Sequence, residues 1–183
     1  ARSVLYTTGG GDGRDSPPAW NVQGTRLVYA SFDSDSGRSR IFTLASDGRS
    51  SPELLAEGQS PAWRWSSDFI AYNGFDERGL DPGLWLTSPD GGQRIRLTDN
   101  GTDIRPVWTP NGSALYFMSN GRSDDWDVYR VDVPAGTVTQ MTNDPAQDGL
   151  PAVSPDGKYL AFMSDRGGAW AIWVRPVEGG DTL

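Results

Sequence analysis

Short apolar runs of period two succeed one another along the chain: "RLVYAS", "RIFTLA", "ALYFMS", "DVYRVDV", "YLAFMS", "AIWVRPV". Their alternation and their β-branched and aromatic content predict strands, and no window carries the 3.6-residue period of a helix. Between them lie "TPNG", "SPDG" and "VQG". In such turns Pro presets φ, while Asn, Asp and Gly accept left-handed conformations. The pattern predicts antiparallel hairpins throughout.

The runs are copies of one unit. "PAWNVQGTRLVYAS" (18–31), "PAWRWSSDFIAYNG" (61–74), "PVWTPNGSALYFMS" (106–119) and "PAVSPDGKYLAFMS" (151–164) align, their leading prolines 43, 45 and 45 residues apart. Nine residues on comes an aliphatic (Leu27, Ile70, Leu115, Leu160), and eleven on an aromatic (Tyr29, Tyr72, Phe117, Phe162). A third run follows with Phe42, Trp85, Tyr129 or Trp173 in register, and a fourth short run ends copies one to three. A tandem four-stranded unit of this length reads as a propeller blade. The expected fold is all-β, a β-propeller of four four-stranded antiparallel blades spanning about 16–57, 58–99, 103–143 and 148–183. The recurring Trp20, Trp63 and Trp108 are then expected to pack one blade on the next rather than to form a carbohydrate platform.

The repeat "P-x-V/W-S/T-P-D/N-G-x-x-L/I-x-F-M-S" with "SDRGG" and "L-T-x-N" resembles the TolB-type β-propeller repeat, a WD-like family. The second copy departs from it, with "RWSSD" in place of the turn motif. The resemblance implies a bacterial propeller of the kind found in periplasmic scaffolds, in propellers attached to serine peptidases and in sensor modules. It points to a periplasmic or extracytoplasmic setting. It implies a fold and leaves function to whatever site is grafted on it.

The fourth copy ends at "VEGGDTL" without a fourth strand, whereas the chain opens with "SVLYTT" (3–8), a strand lacking partners of its own. The closing strand, residues 2–8, is expected to complete the last blade. It does so within the chain, or in trans to give an eight-bladed homodimer, or the chain is part of a longer propeller.

Composition narrows the chemistry. With a net charge of −8 and a pI near 4.4 the chain repels phosphate backbones, and nucleic acid is excluded as a partner. No apolar run is long enough to span a membrane as a helix, and "ARSVLYTT" has no signal-peptide hydrophobic region. The chain has no Cys and no His, so the usual general base, zinc ligand and Ser-His or Cys-His pairs are missing. A non-enzyme without cofactor is expected.

The candidate site is the channel mouth. Asp15, Asp103 and Asp148 stand three residues before their prolines, and Gly58 fills the second slot beside Gln59. The functional reading is a ring of carboxylates that binds a cation or a basic peptide; the structural reading is that each Asp caps local backbone N–H groups. "DSDSG" (33–37) offers Asp33 and Asp35 as weak metal candidates, without the remaining ligands of a calcium loop. The functional expectation is a non-catalytic scaffold that binds a protein or peptide, the alternatives being a small-ligand or glycan sensor and a propeller-type hydrolase.

Overall fold

The computed structural model describes residues 16–76 and 78–179, and among them there are fourteen strands and no helix. The strands β1 (Ser16–Trp20), β2 (Arg26–Asp33) and β3 (Arg38–Ala45) form the first blade with the leading half of β4 (Glu53–Trp63). The trailing half of β4 starts the second blade, continued by β5 (Ile70–Gly74), β6 (Gly83–Thr87) and β7 (Arg94–Arg96). One strand thus belongs to two blades, pairing with β3 up to Glu57 and with β5 from Gly58 onwards. β8 (Ile104–Trp108), β9 (Ala114–Ser119), β10 (Asp127–Asp132) and β11 (Val138–Gln140) make the third. The fourth contains β12 (Asp148–Val153), β13 (Tyr159–Ser164) and β14 (Ala171–Pro176). All pairings are antiparallel between neighbours in sequence, as hairpin-linked strands require.

The core is divided into three slabs, one at each junction between blades. Val28, Ala30 and Ile41 meet Trp63, Ile70 and Tyr72 between the first and second blades. Ala71, Leu84 and Leu86 meet Trp108, Leu115 and Phe117 between the second and third. Tyr116 and Val128 meet Leu160 and Phe162 between the third and fourth. The period-two alternation explains this: each strand sends successive side chains to opposite faces, and both faces of an inner blade are buried.

The expected closing strand, residues 3–8, lies outside the described residues, as does Asp15. The described blades form an open arc, since no core cluster joins the first to the fourth. Ile41, Leu84 and Val128 occupy one repeat position and are fully buried, whereas Ile172, at that position in the fourth blade, is 73% exposed. On the other outer face Trp20 is 54% exposed, against 4% for Trp63 and Trp108. The interblade role expected for the Trp stripe therefore holds at Trp63 and Trp108, where a preceding blade covers the ring. Trp108 also donates its indole N–H to the Ala62 carbonyl of that blade at 3.0 Å.

Candidate binding surfaces on the inner strands

Asp103 and Asp148 sit where the repeat places them, at the start of the innermost strand, but neither presents charge to a channel. Both are fully buried. A buried carboxylate is tolerable only if paired, and each is paired with an arginine from the loop after the second strand of its own blade. Arg122 donates Nε to Asp103 Oδ1 at 2.9 Å and Nη2 to Oδ2 at 2.7 Å, a two-pronged clasp. Arg166 donates Nη2 to Asp148 Oδ2 at 2.6 Å and also pairs with Asp144 at 2.6 Å. The guanidinium groups rest over the repeat's aromatics, Arg122 over Phe117 at 6.0 Å and Arg166 over Phe162 at 5.0 Å. Burial pushes the Asp148 carboxyl above its ordinary value, and the nearby hydroxyls of Ser164 and Thr142 and the Arg166 charge offset only part of this. At Asp103 and Asp148, the two expected mouth carboxylates among the described residues, each carboxylate is paired with arginine inside its own blade. The sequence signal was present in "SNGR" and "SDR", whose arginines lie 19 and 18 residues beyond the aspartates.

The second blade lacks this clasp. Gly58 replaces the aspartate, and Gly74 pairs with it across the strands at the place of Ser119 and Ser164. The strands approach so closely that a Cβ on Gly58 would lie 2.5 Å from the Asn73 carbonyl oxygen and 2.8 Å from the Tyr72 ring. Arg78, in the corresponding loop, pairs instead with Asp76 at 2.7 Å and Asp81 at 3.5 Å. Gln59 is exposed and lines a cleft between the first two blades.

The innermost strands form a second surface. β1, β4 and β8 converge on a concave wall enclosing about 410 Å³, lined by the Pro-Ala-Trp and Pro-Val-Trp segments and by Trp65. Each of β4, β8 and β12 has a bulge around its proline, and the residue before the proline takes a positive φ: Ser60 at 50°, Arg105 at 55°, Leu150 at 51°. Such a conformation costs roughly 1–3 kcal/mol in a non-glycine residue. Arg105 and Trp65 are exposed, and Arg105 is the one charged residue on the wall's described lining. The sequence reading missed Arg105, because a residue before proline is ordinarily extended.

Asp33 is an ordinary turn residue. It accepts from the backbone N–H of Asp35 at 3.0 Å and from the Ser36 hydroxyl at 2.8 Å, and these bonds hold its carboxyl below the usual range. Among the described residues no group of three His, Cys, Asp or Glu side chains is placed to hold a metal.

Four-stranded sheets stacked through such slabs, with their first strands turned inward, define a β-propeller. Residues 55–183 match the TolB beta propeller domain family, and the chain belongs to it. An uncharacterized protein of Agrobacterium fabrum, Atu1656, is 30% identical over 96 residues, covering 52% of this chain and 32% of its own length. The uncharacterized peptidase YuxL of Bacillus subtilis is 27% identical over 194 residues, covering 81% of this chain and 29% of its own. The chain spans about a third of the length of these two relatives. TolB from Acinetobacter baumannii superposes with a TM-score of 0.75 at 22% identity, over 92% of this chain and 42% of that one. At that identity the likeness carries the fold alone.

Proposed function

We propose that this chain is a non-catalytic propeller module whose inner wall binds an extended peptide segment of a partner protein, apolar and carrying an acidic group. The observation that carries the reading is Arg105: a lone cation held out on a proline and tryptophan wall by a backbone conformation that must be stabilised from elsewhere. Apolar lining with one convergent polar group is the usual composition of a binding site. It reverses the charge preference that an acidic mouth implies. Support for a non-catalytic role comes from the sequence, which has neither His nor Cys, and from Asp103 and Asp148 being tied up by arginine. The reading requires no cofactor.

The test is a titration followed by tryptophan fluorescence, using the acetylated pentapeptide Pro-Leu-Asp-Pro-Leu and its counterpart with Lys for Asp. The acidic peptide should bind more tightly, and Arg105→Glu should reverse the preference. Equal affinity for both, unchanged in Arg105→Glu, removes this reading. Binding of a neutral oligosaccharide that is lost in Trp65→Ala and insensitive to salt would favour the glycan-sensor alternative, to which the 68% exposure of Trp65 lends support.

For the outer faces we propose a second copy as partner. Trp20 and Ala152 hold the repeat positions of Trp108 and Ala62, so one chain's indole meets the other's carbonyl as in the 3.0 Å bond inside the arc. Light scattering should give the mass of a dimer, reduced to a monomer by Ile172→Asp; a monomer at all concentrations disproves it.

A further inference from the structure

The first three blades are each finished by an outer strand, and it is seated in one recurring way. In the second blade the backbone N–H groups of Leu97 and Thr98 both donate to the Leu84 carbonyl, at 2.8 and 3.3 Å. The Leu84 N–H donates in return to the Thr98 hydroxyl oxygen at 2.9 Å. The third blade repeats all three bonds: Met141 and Thr142 donate to the Val128 carbonyl at 2.8 and 3.3 Å, and Val128 donates to the Thr142 hydroxyl oxygen at 2.9 Å. The first blade makes the same step of two residues against one, Leu55 standing between Leu54, opposite Phe42, and Ala56, opposite Ile41. Such a bulge fixes register and aims a side chain. Here it places Leu55 in one cluster with Ile41, Leu97 with Leu84, and Met141 against that of Val128.

The fourth blade has the socket without the strand. No described strand pairs with the outer edge of β14. Ile172 lies opposite Met163 as Leu84 lies opposite Asn73 and Val128 opposite Met118, so its N–H and C=O point away from β13 along that edge. Its side chain is 73% exposed where a bulged Leu or Met would cover it. Arg175 is the one charged residue of β14. It donates to the Met141 carbonyl, and among the described residues no carboxylate pairs with it. The outer-strand residue facing this position is Arg94 in the second blade and Val138 in the third, each four residues before the threonine. An acidic residue there would meet Arg175 as a cross-strand pair of opposite charge. We propose that the outer edge of β14 is a docking site for an extended segment of a partner protein, reading Asp or Glu, an aliphatic residue, any residue, Leu or Met, then Thr. The backbone ladder supplies affinity, and the bulge, the hydroxyl and the charge supply specificity. This edge is separate from the inner wall and does not depend on the reading given for it.

The experiment is calorimetric titration of the full chain with the acetylated octapeptide Gln-Glu-Ile-Arg-Leu-Thr-Asp-Asn, which copies residues 93–100 with Glu in place of Arg94. It should bind saturably below millimolar concentration. Valine in place of the peptide's threonine removes the hydroxyl at constant shape and should weaken binding about fivefold to tenfold, and serine should restore most of the loss. Arginine in place of its glutamate should weaken binding about threefold. On the protein, Ile172→Pro removes an N–H that points away from β13 and should abolish binding while the unfolding transition is kept. The peptide variants decide the matter if that substitution disturbs the fold. Arg105→Glu, on the inner wall, should leave the affinity unchanged. Absence of binding at millimolar peptide overturns the proposal, as does equal affinity for the valine peptide or binding that survives in folded Ile172→Pro. A dimer that the peptide splits in light scattering assigns the edge to a second copy and overturns it as well.

Discussion

The second and third blades start from the same repeat and treat its inner corner in opposite ways. The third buries Asp103 under a two-pronged arginine, with Ser119 paired across the strands nearby and Phe117 beneath the guanidinium. The second removes both polar side chains, brings the strands together at Gly58 and Gly74, and leaves its loop arginine in solvent. A buried clasp makes a corner rigid and satisfied. A corner without one leaves a cleft between the blades, flanked by Arg38 and Arg78. In a protein of repeated units, the unit that breaks the pattern without a stability gain is where a site is to be sought.

The contrast can be broken first at its strongest point. Arg122→Ala leaves Asp103 charged and unpaired inside the third blade and should cost about 3–5 kcal/mol in urea unfolding. A loss below 1 kcal/mol would mean that the clasp is dispensable. Next in size, Gly58→Asp restores the repeat's consensus in the second blade, and yet should destabilise by about 1–3 kcal/mol, because there is no room for a Cβ. A stabilised variant would show that the corner tolerates a clasp after all. The fourth blade tests the electrostatics. Because burial raises the Asp148 carboxyl in the folded chain, the folded state keeps its proton above the ordinary value of 3.8. Folding therefore binds protons in that window, and stability falls as pH rises from 3.8 to the raised value. Asp148→Asn should lack this slope in unfolding curves measured at several pH values; an unchanged slope assigns it to another group. Smallest of all, Arg78→Ala removes an exposed pair and should barely lower stability in urea unfolding. A larger loss would give the second blade a hidden clasp of its own.

These two corners also mark how far the sequence could be read. The strands and the blade stacking were legible because Leu27, Ile70, Leu115 and Leu160 recur in register, and that periodicity is the packing itself. Trp20 looks like Trp63 and Trp108 in sequence, but its exposure depends on a neighbour that a local motif cannot report. The aspartates were found and their role was not, because the partner arginine lies in a loop nearly twenty residues away and the motif names it without aiming it. Arg105 was invisible for a different reason: its orientation follows from a bulge and a positive φ, neither of which a preceding-proline rule anticipates. The cleft at Gly58 required both failures to be resolved, since it is defined by what that corner lacks.

The strand shared by the first two blades has a consequence for how the molecule comes apart. β4 runs unbroken from Glu53 to Trp63, so seven strands form one continuous hydrogen-bonded sheet, whereas the later blades are separate sheets held by side-chain packing. No residue of β4 pairs in both ladders, but the change of partner between Glu57 and Gly58 leaves no loop between the two blades, so opening one pulls directly on the strand of the other. The first two blades thus behave as one unit of opening, and the third and fourth can each loosen by themselves. In amide exchange, the N-terminal half of the arc would keep its protons together and lose them together, and the C-terminal half would release them blade by blade.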